Sequence, residues 1–200
     1  MIRKPSDSRR AAGVLLLLAL LLSALVACAR PANDALADRP ASDMAGYRVL
    51  ADVDGPLQFV DMTAAEADRL MEEGASFVLF TSYPDCPWCN AVIRQVNAAA
   101  AEAGWKVGNL NTRKDPTWQN NTDIDDYDLF VARFGEFLEN DDDGTPHLYV
   151  PHIFFIRNGA VVYAHQGALS SMGDDPNTVL SEEENEELTE IFREGFRRLG

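Results

Sequence analysis

The chain has 200 residues, a formal charge of −15, and a composition of 46% hydrophobic, 9% aromatic and 24% charged residues. That balance belongs to a globular protein and not to a disordered one. The acidic surplus excludes nucleic acid as a partner, because neutralising phosphates takes excess Lys and Arg, and reads as a solvated acidic surface.

In chain order, residues 1–27 stand apart. Arg3, Lys4, Arg9 and Arg10 form a basic start, followed by an uncharged, Leu-rich run from Ala11 to Ala27. The run is shorter than the about 20 residues a membrane span needs, so a secretory signal is expected, with an uncleaved anchor helix as the alternative. Ser8-Arg9-Arg10 hints at a twin-arginine signal but lacks the Phe-Leu that should follow. Leu25-Val26-Ala27-Cys28 resembles the lipobox of bacterial lipoproteins. That resemblance implies cleavage before Cys28, lipid on its sulfur, and a domain tethered outside the cytoplasm of a bacterial cell envelope. Residues 28–46, rich in Ala, Asp and Pro without apolar periodicity, are expected to form a flexible tether. A domain would then fill 47–200.

Within that domain, Leu57–Val60 reads as a short strand. Thr63 followed by Glu66 is a capping-box pattern opening a helix with Ala67, Leu70 and Met71 on one face and Gly74 as its stop. Ser76–Ser82 is a near-continuous apolar run, as expected of a strand buried on both faces. After Cys86 and Cys89, residues Val92, Ile93, Val96 and Ala100 keep helical spacing up to Gly104. A strand follows Trp105. Residues 111–149 are polar and acidic, an insertion with one helix expected around Asp128–Leu138; Phe130, Phe134 and Phe137 have core spacing there. Glu139–Gly144 resembles the start of a calcium loop, but the twelfth position is Val150, so that pattern fails. Two strands joined at Asn158-Gly159 form a hairpin signal. Ser181 and Glu184 cap a final helix whose buried stripe is Leu188, Ile191, Phe192, Phe196 and Leu199. The order βαβαβ, helix, ββ, α predicts an α/β fold whose central mixed sheet is flanked by helices.

Cys86 and Cys89 carry the chemistry. A redox pair needs one cysteine of lowered pKa and a second within reach. A strand-to-helix junction supplies both: free N–H groups and the helix dipole at Cys86, and Cys89 on the same face. Pro87 suits the first helical position. Asp85 opposes this by placing a carboxylate beside the thiol. The other readings are two inert thiols or half of a metal site, which His147 or His152 would have to complete with Zn or Cu(I), His165 standing further off. Trp88 is either an apolar contact for a substrate or a packing residue.

A buried strand, C-x-x-C opening a helix, and a Pro ahead of an Asn-Gly hairpin together resemble the thioredoxin-like superfamily over Leu57 to Leu199. The stretch from Phe77 to Val92 looks closest to the bacteriocin transport accessory protein-like branch and to thioredoxin-domain lipoproteins. The resemblance implies a thioredoxin-like fold with the 111–149 stretch inserted ahead of a strand that starts at a cis-proline, Val150-Pro151, which binds substrate backbone. Gly167 matches another recurrent position. It implies a thiol–disulfide oxidoreductase acting on protein thiols or disulfides, with a membrane or exported redox partner and no cofactor beyond the Cys86–Cys89 couple. Phe80 departs from the pattern, since thioredoxins carry a buried Asp there. The alternatives are a non-catalytic accessory protein for peptide export and a Cu or Zn metallochaperone.

Overall fold

A computed structural model of the chain describes residues 34–113, 124–169, 171 and 179–200. These residues belong to one compact unit, Pro31–Gly200. The basic start, the Leu-rich run and Cys28 lie outside the described residues. Among the described residues no helix is long and apolar enough to cross a membrane.

Strand β2 (Phe77–Ser82) is buried at every position, as its unbroken apolar run requires. It is the centre of a five-stranded sheet with β1 (Phe59–Asp61), β3 (Val107–Asn111), β6 (His152–Arg157) and β7 (Ala160–Gln166), in the order β1-β3-β2-β6-β7. Both β1 and β2 run parallel to β3, while β6 is antiparallel to β2 and β7 to β6. The α/β architecture with a mixed sheet and flanking helices is therefore as expected from the sequence.

Alternation along β6 sends neighbouring phenylalanines to opposite faces. Phe154 meets Phe134 of α3 (Tyr127–Phe134), ring centroids 4.7 Å apart. On that side α3 packs against α1 (Ala64–Glu72), where Arg133 Nε donates to Asp68 at 2.6 Å. Phe155 faces the other way and meets Phe196 of α4 (Glu182–Leu199) edge-on at 5.1 Å. There α4 packs against α2 (Pro87–Ala103). Gly195 permits the approach: a Cβ on it would lie 2.3 Å from the Phe155 ring.

Local signals were written plainly in the chain. Both capping boxes form, Thr63 with Glu66 and Ser181 with Glu184. Asn158 and Gly159 turn β6 into β7 with φ of 52° and 78°. That turn is docked, because the Gly159 amide donates to the Ala75 carbonyl at 2.8 Å. A Cβ at Gly159 would stand 2.3 Å from the Met71 carbonyl oxygen. The helix expected over Asp128–Leu138 is α3 followed by a 3-10 turn, Gly135–Phe137. Beyond it lies an unforeseen short hairpin, β4 (Glu139–Asn140) with β5 (Pro146–His147), around the acidic turn.

The tether expected over 28–46 has to be corrected. From Asp34 onward the chain is packed, and Leu36, Met44, Tyr47 and Leu50 are all buried. Ala35 N–H donates to the Ser76 carbonyl at 3.0 Å, Ser42 N–H to the Phe59 carbonyl at 2.9 Å, and the Asp34 carboxylate accepts from Lys106 N–H at 2.8 Å. The ordered domain therefore begins before residue 47. Its apolar residues here are single and irregularly spaced, so no period reveals them; sheet-edge hydrogen bonds and core burial hold the segment instead.

Candidate active site

Strand β2 ends at Ser82, and a tight turn leads into α2: Cys86 N–H donates to the Tyr83 carbonyl at 3.2 Å. Cys86 is the N-cap residue, extended at φ −74° and ψ 115°, and Pro87 follows where no intrahelical N–H is required. The Cys86 sulfur accepts a hydrogen bond from Cys89 N–H at 3.0 Å, taking the place a Ser or Asp oxygen occupies at an ordinary cap. Cys86 and Cys89 are joined as a disulfide with Cα atoms 5.2 Å apart. When the pair is reduced, the same N–H and the helix dipole favour the thiolate on Cys86.

Asn90 completes the turn, and sequence reasoning overlooked it. Its side-chain amide donates to the Pro84 carbonyl at 2.6 Å and to the Cys86 carbonyl at 2.9 Å. An Asn just inside a helix start was the signal, since short amides bond nearby backbone. Tyr83 is also fixed: Arg113 Nη2 donates to its hydroxyl at 2.8 Å, and the guanidinium carbon lies 3.7 Å from the ring centre.

Both sulfurs are withdrawn, with Cys86 1% and Cys89 0% exposed. Trp88 is half-buried against the core, and Asp85 is exposed, where solvent screens its charge. Phe80 is buried beside Phe59, with ring centroids 6.1 Å apart.

The peptide Val150-Pro151 is cis, and both residues are buried. Thr81 pairs with His152, so continuing the antiparallel register sets Pro151 beside Ser82, at the sheet end from which the cysteine turn departs. Gly167, with φ 76°, donates its N–H to the Pro151 carbonyl at 2.7 Å. Among the described residues, no backbone group bonds the Val150 amide or carbonyl.

The histidines are dispersed. His152 is stacked on Phe154 at 4.1 Å, and burial drives its imidazole down to about 3, with His165 adding repulsion. His165 stands edge-on to Phe192, and burial lowers it too. His147 Nδ1 lies 3.2 Å from Asp141. Among the described residues no three His, Cys, Asp or Glu side chains converge in a group able to hold a metal ion, so neither His147 nor His152 joins the cysteines in one. The lipid-attachment expectation at Cys28 lies outside the described residues. No family model matches the chain, and no curated protein matches it.

Proposed function

We propose that this protein is a thioredoxin-like thiol–disulfide oxidoreductase whose redox couple is Cys86–Cys89. The observation carrying the reading is the disulfide across the first turn of α2, with the Cys86 sulfur already receiving the Cys89 N–H. The mixed sheet and the cis Val150-Pro151 beside the cysteine turn support the same fold assignment.

In the reducing direction, the Cys86 thiolate attacks one sulfur of a substrate disulfide. That bond breaks, a mixed disulfide forms, and the departing substrate sulfur takes up a proton. Cys89, deprotonated in turn, attacks the Cys86 sulfur and releases the second substrate thiol. Two electrons pass from the cysteine pair to the substrate; the reverse sequence oxidises a substrate dithiol. Phe80 offers no carboxylate to take the Cys89 proton, so solvent or the leaving thiolate accepts it. The Val150 backbone pairs with an extended substrate strand. The protein works at the outer side of a bacterial membrane, held through lipid on Cys28, on protein thiols or disulfides, with a membrane or exported partner renewing the couple.

The burial of Cys86 favours a second reading, in which the disulfide is structural and the protein is a non-turning-over accessory for peptide export. Equilibration of the full chain in glutathione buffers, with thiols counted by alkylation, separates the two. A reversible couple supports the oxidoreductase: about −270 mV indicates a reductase and about −120 mV an oxidant. In the Cys89→Ser variant, Cys86 should retain a mixed disulfide with a peptide disulfide substrate. Failure to exchange under any glutathione ratio sinks the enzyme reading.

A further inference from the structure

The segment from Ser42 to Leu50 touches the redox motif on both sides in sequence. Ahead of the cysteines, Gly46 lies against Pro84, so closely that a Cβ would sit 3.0 Å from the Pro84 ring carbons. Beneath them, the Tyr47 hydroxyl lies 2.5 Å from Ser82 Oγ. After them, Arg94 of α2 donates through Nε to the Val49 carbonyl, and Leu50 is buried in the core.

The Tyr47 contact belongs to a closed chain. Ser82 Oγ donates to Asn109 Oδ1 at 2.9 Å, which leaves the Tyr47 O–H to donate to Ser82. Asn109 Nδ2 in turn donates to Met44 Sδ at 3.7 Å, and Tyr47 N–H bonds the Met44 carbonyl at 2.9 Å. Two strands and the Ser42–Leu50 segment, the arm, are thereby tied together by the buried polar side chains of Tyr47, Ser82 and Asn109. Burial pushes the Tyr47 phenol up to about 12, so it stays a neutral donor across the working pH range. Such an enclosed, satisfied network fixes geometry, because breaking one member strands the others. Ser82 is the last residue of β2, and the cysteine turn is built directly on it.

We propose that Tyr47 is a positioning residue of the redox centre: through Ser82 and Asn109, and with Gly46 against Pro84, the arm holds the turn that aims the Cys89 N–H at the Cys86 sulfur. This rests on the redox reading above and adds a control element lying outside the cysteine motif. Loosening the turn weakens the hydrogen bond to the thiolate more than it weakens the disulfide form. The reduced protein then loses reactivity, and the equilibrium moves toward disulfide.

The test uses the full chain with Tyr47→Phe, Ser82→Ala and Gly46→Ala, and Tyr163→Phe on β7 as a control. Two quantities are read: the pH profile of Cys86 alkylation in the reduced protein, and the glutathione ratio at half-oxidation. Tyr47→Phe and Ser82→Ala should each slow alkylation at pH 7 at least threefold, displace the profile to higher pH, and favour disulfide at least threefold, with the folded far-ultraviolet spectrum kept. Gly46→Ala, which leaves the network intact and presses on Pro84, should alter the same readouts, and it decides the matter if Tyr47→Phe does not fold. Tyr163→Phe should alter neither. Profiles and ratios within twofold of the parent for Tyr47→Phe, Ser82→Ala and Gly46→Ala alike overturn the inference while leaving the redox reading standing. Absence of any exchange in the parent chain overturns both.

Discussion

Helices α2 and α4 pack against one another on the same face of the sheet and are nearly equal in length, yet they treat their own dipoles in opposite ways. α4 opens with the Ser181–Glu184 capping box and three consecutive glutamates, and closes with Arg197 and Arg198. It is also laced by Arg193–Glu186, Arg197–Glu190 and Arg198–Glu194 contacts. Its terminal charges are neutralised by its own side chains. α2 has no acid in its first turn and no base in its last, and its cap is a sulfur. The partial positive charge at its N-terminus therefore falls on Cys86. One helix meets its field with its own charges, and the other leaves its N-terminal field on a sulfur.

Four measurements break or sharpen that contrast. The largest effect belongs to neither helix and has to be separated first. Buried His152 is neutral in the fold down to about pH 3, while the unfolded chain binds its proton below about 6.5. Stability thus rises with pH between those values and is lost on acidification, by about 2 kcal/mol at pH 5 relative to pH 8 from this residue. Denaturant titrations at both pH values should show that loss, shrinking in His152→Leu; an unchanged difference would refute the assignment.

Ser181→Ala removes the α4 cap and should cost about 1 kcal/mol, with Cys86 alkylation untouched. A change in thiol reactivity would mean the two helices do not divide their roles. Conversely, Pro87→Glu gives α2 the first-turn acid that α4 has. Compensation of the dipole by about 0.5 kcal/mol should slow Cys86 alkylation at pH 7 roughly twofold. Faster alkylation would show that the N-terminal field of α2 is not what serves the sulfur.

The smallest effect is local. The backbone hydrogen bond from Ser181 holds the Glu184 carboxyl below its ordinary value, with serine side chains assisting. A depressed acid stabilises the fold above its unfolded pKa and stops doing so as pH falls through its folded one. Amide exchange in the first turn of α4 should accordingly lose protection when pH is taken below about 4.5, whereas the first turn of α2 has no acid to titrate. Equal responses at both ends would erase the distinction.

What could be read in advance was what is encoded locally. The run Phe77–Ser82, the Thr63 and Ser181 caps and the Asn158-Gly159 turn each depend on residues a few positions apart, and each formed. The cysteine pair was legible for the same reason. Tyr47, Ser82 and Asn109 were not, since their meaning arises only when β2, β3 and the arm come together across separations of 27 and 35 residues. Leu36 and Met44 escaped notice because single apolar residues amid Asp, Pro and Ala carry no period. Val150-Pro151 fell between: the resemblance pointed to it, and the sheet register placed it beside the cysteine turn.

The docked turn at Asn158-Gly159 determines where a foreign sequence can be spliced into this protein. Exposed hairpin tips ordinarily accept insertions, but here the Gly159 amide is bonded to the Ala75 carbonyl, and any side chain on Gly159 would run into the Met71 carbonyl. A tag or fluorophore at that tip would pry β6 and β7 away from the end of α1. The acidic turn at Gly144 has open space around the equivalent atom, which makes it the site for a reporter that leaves the sheet intact.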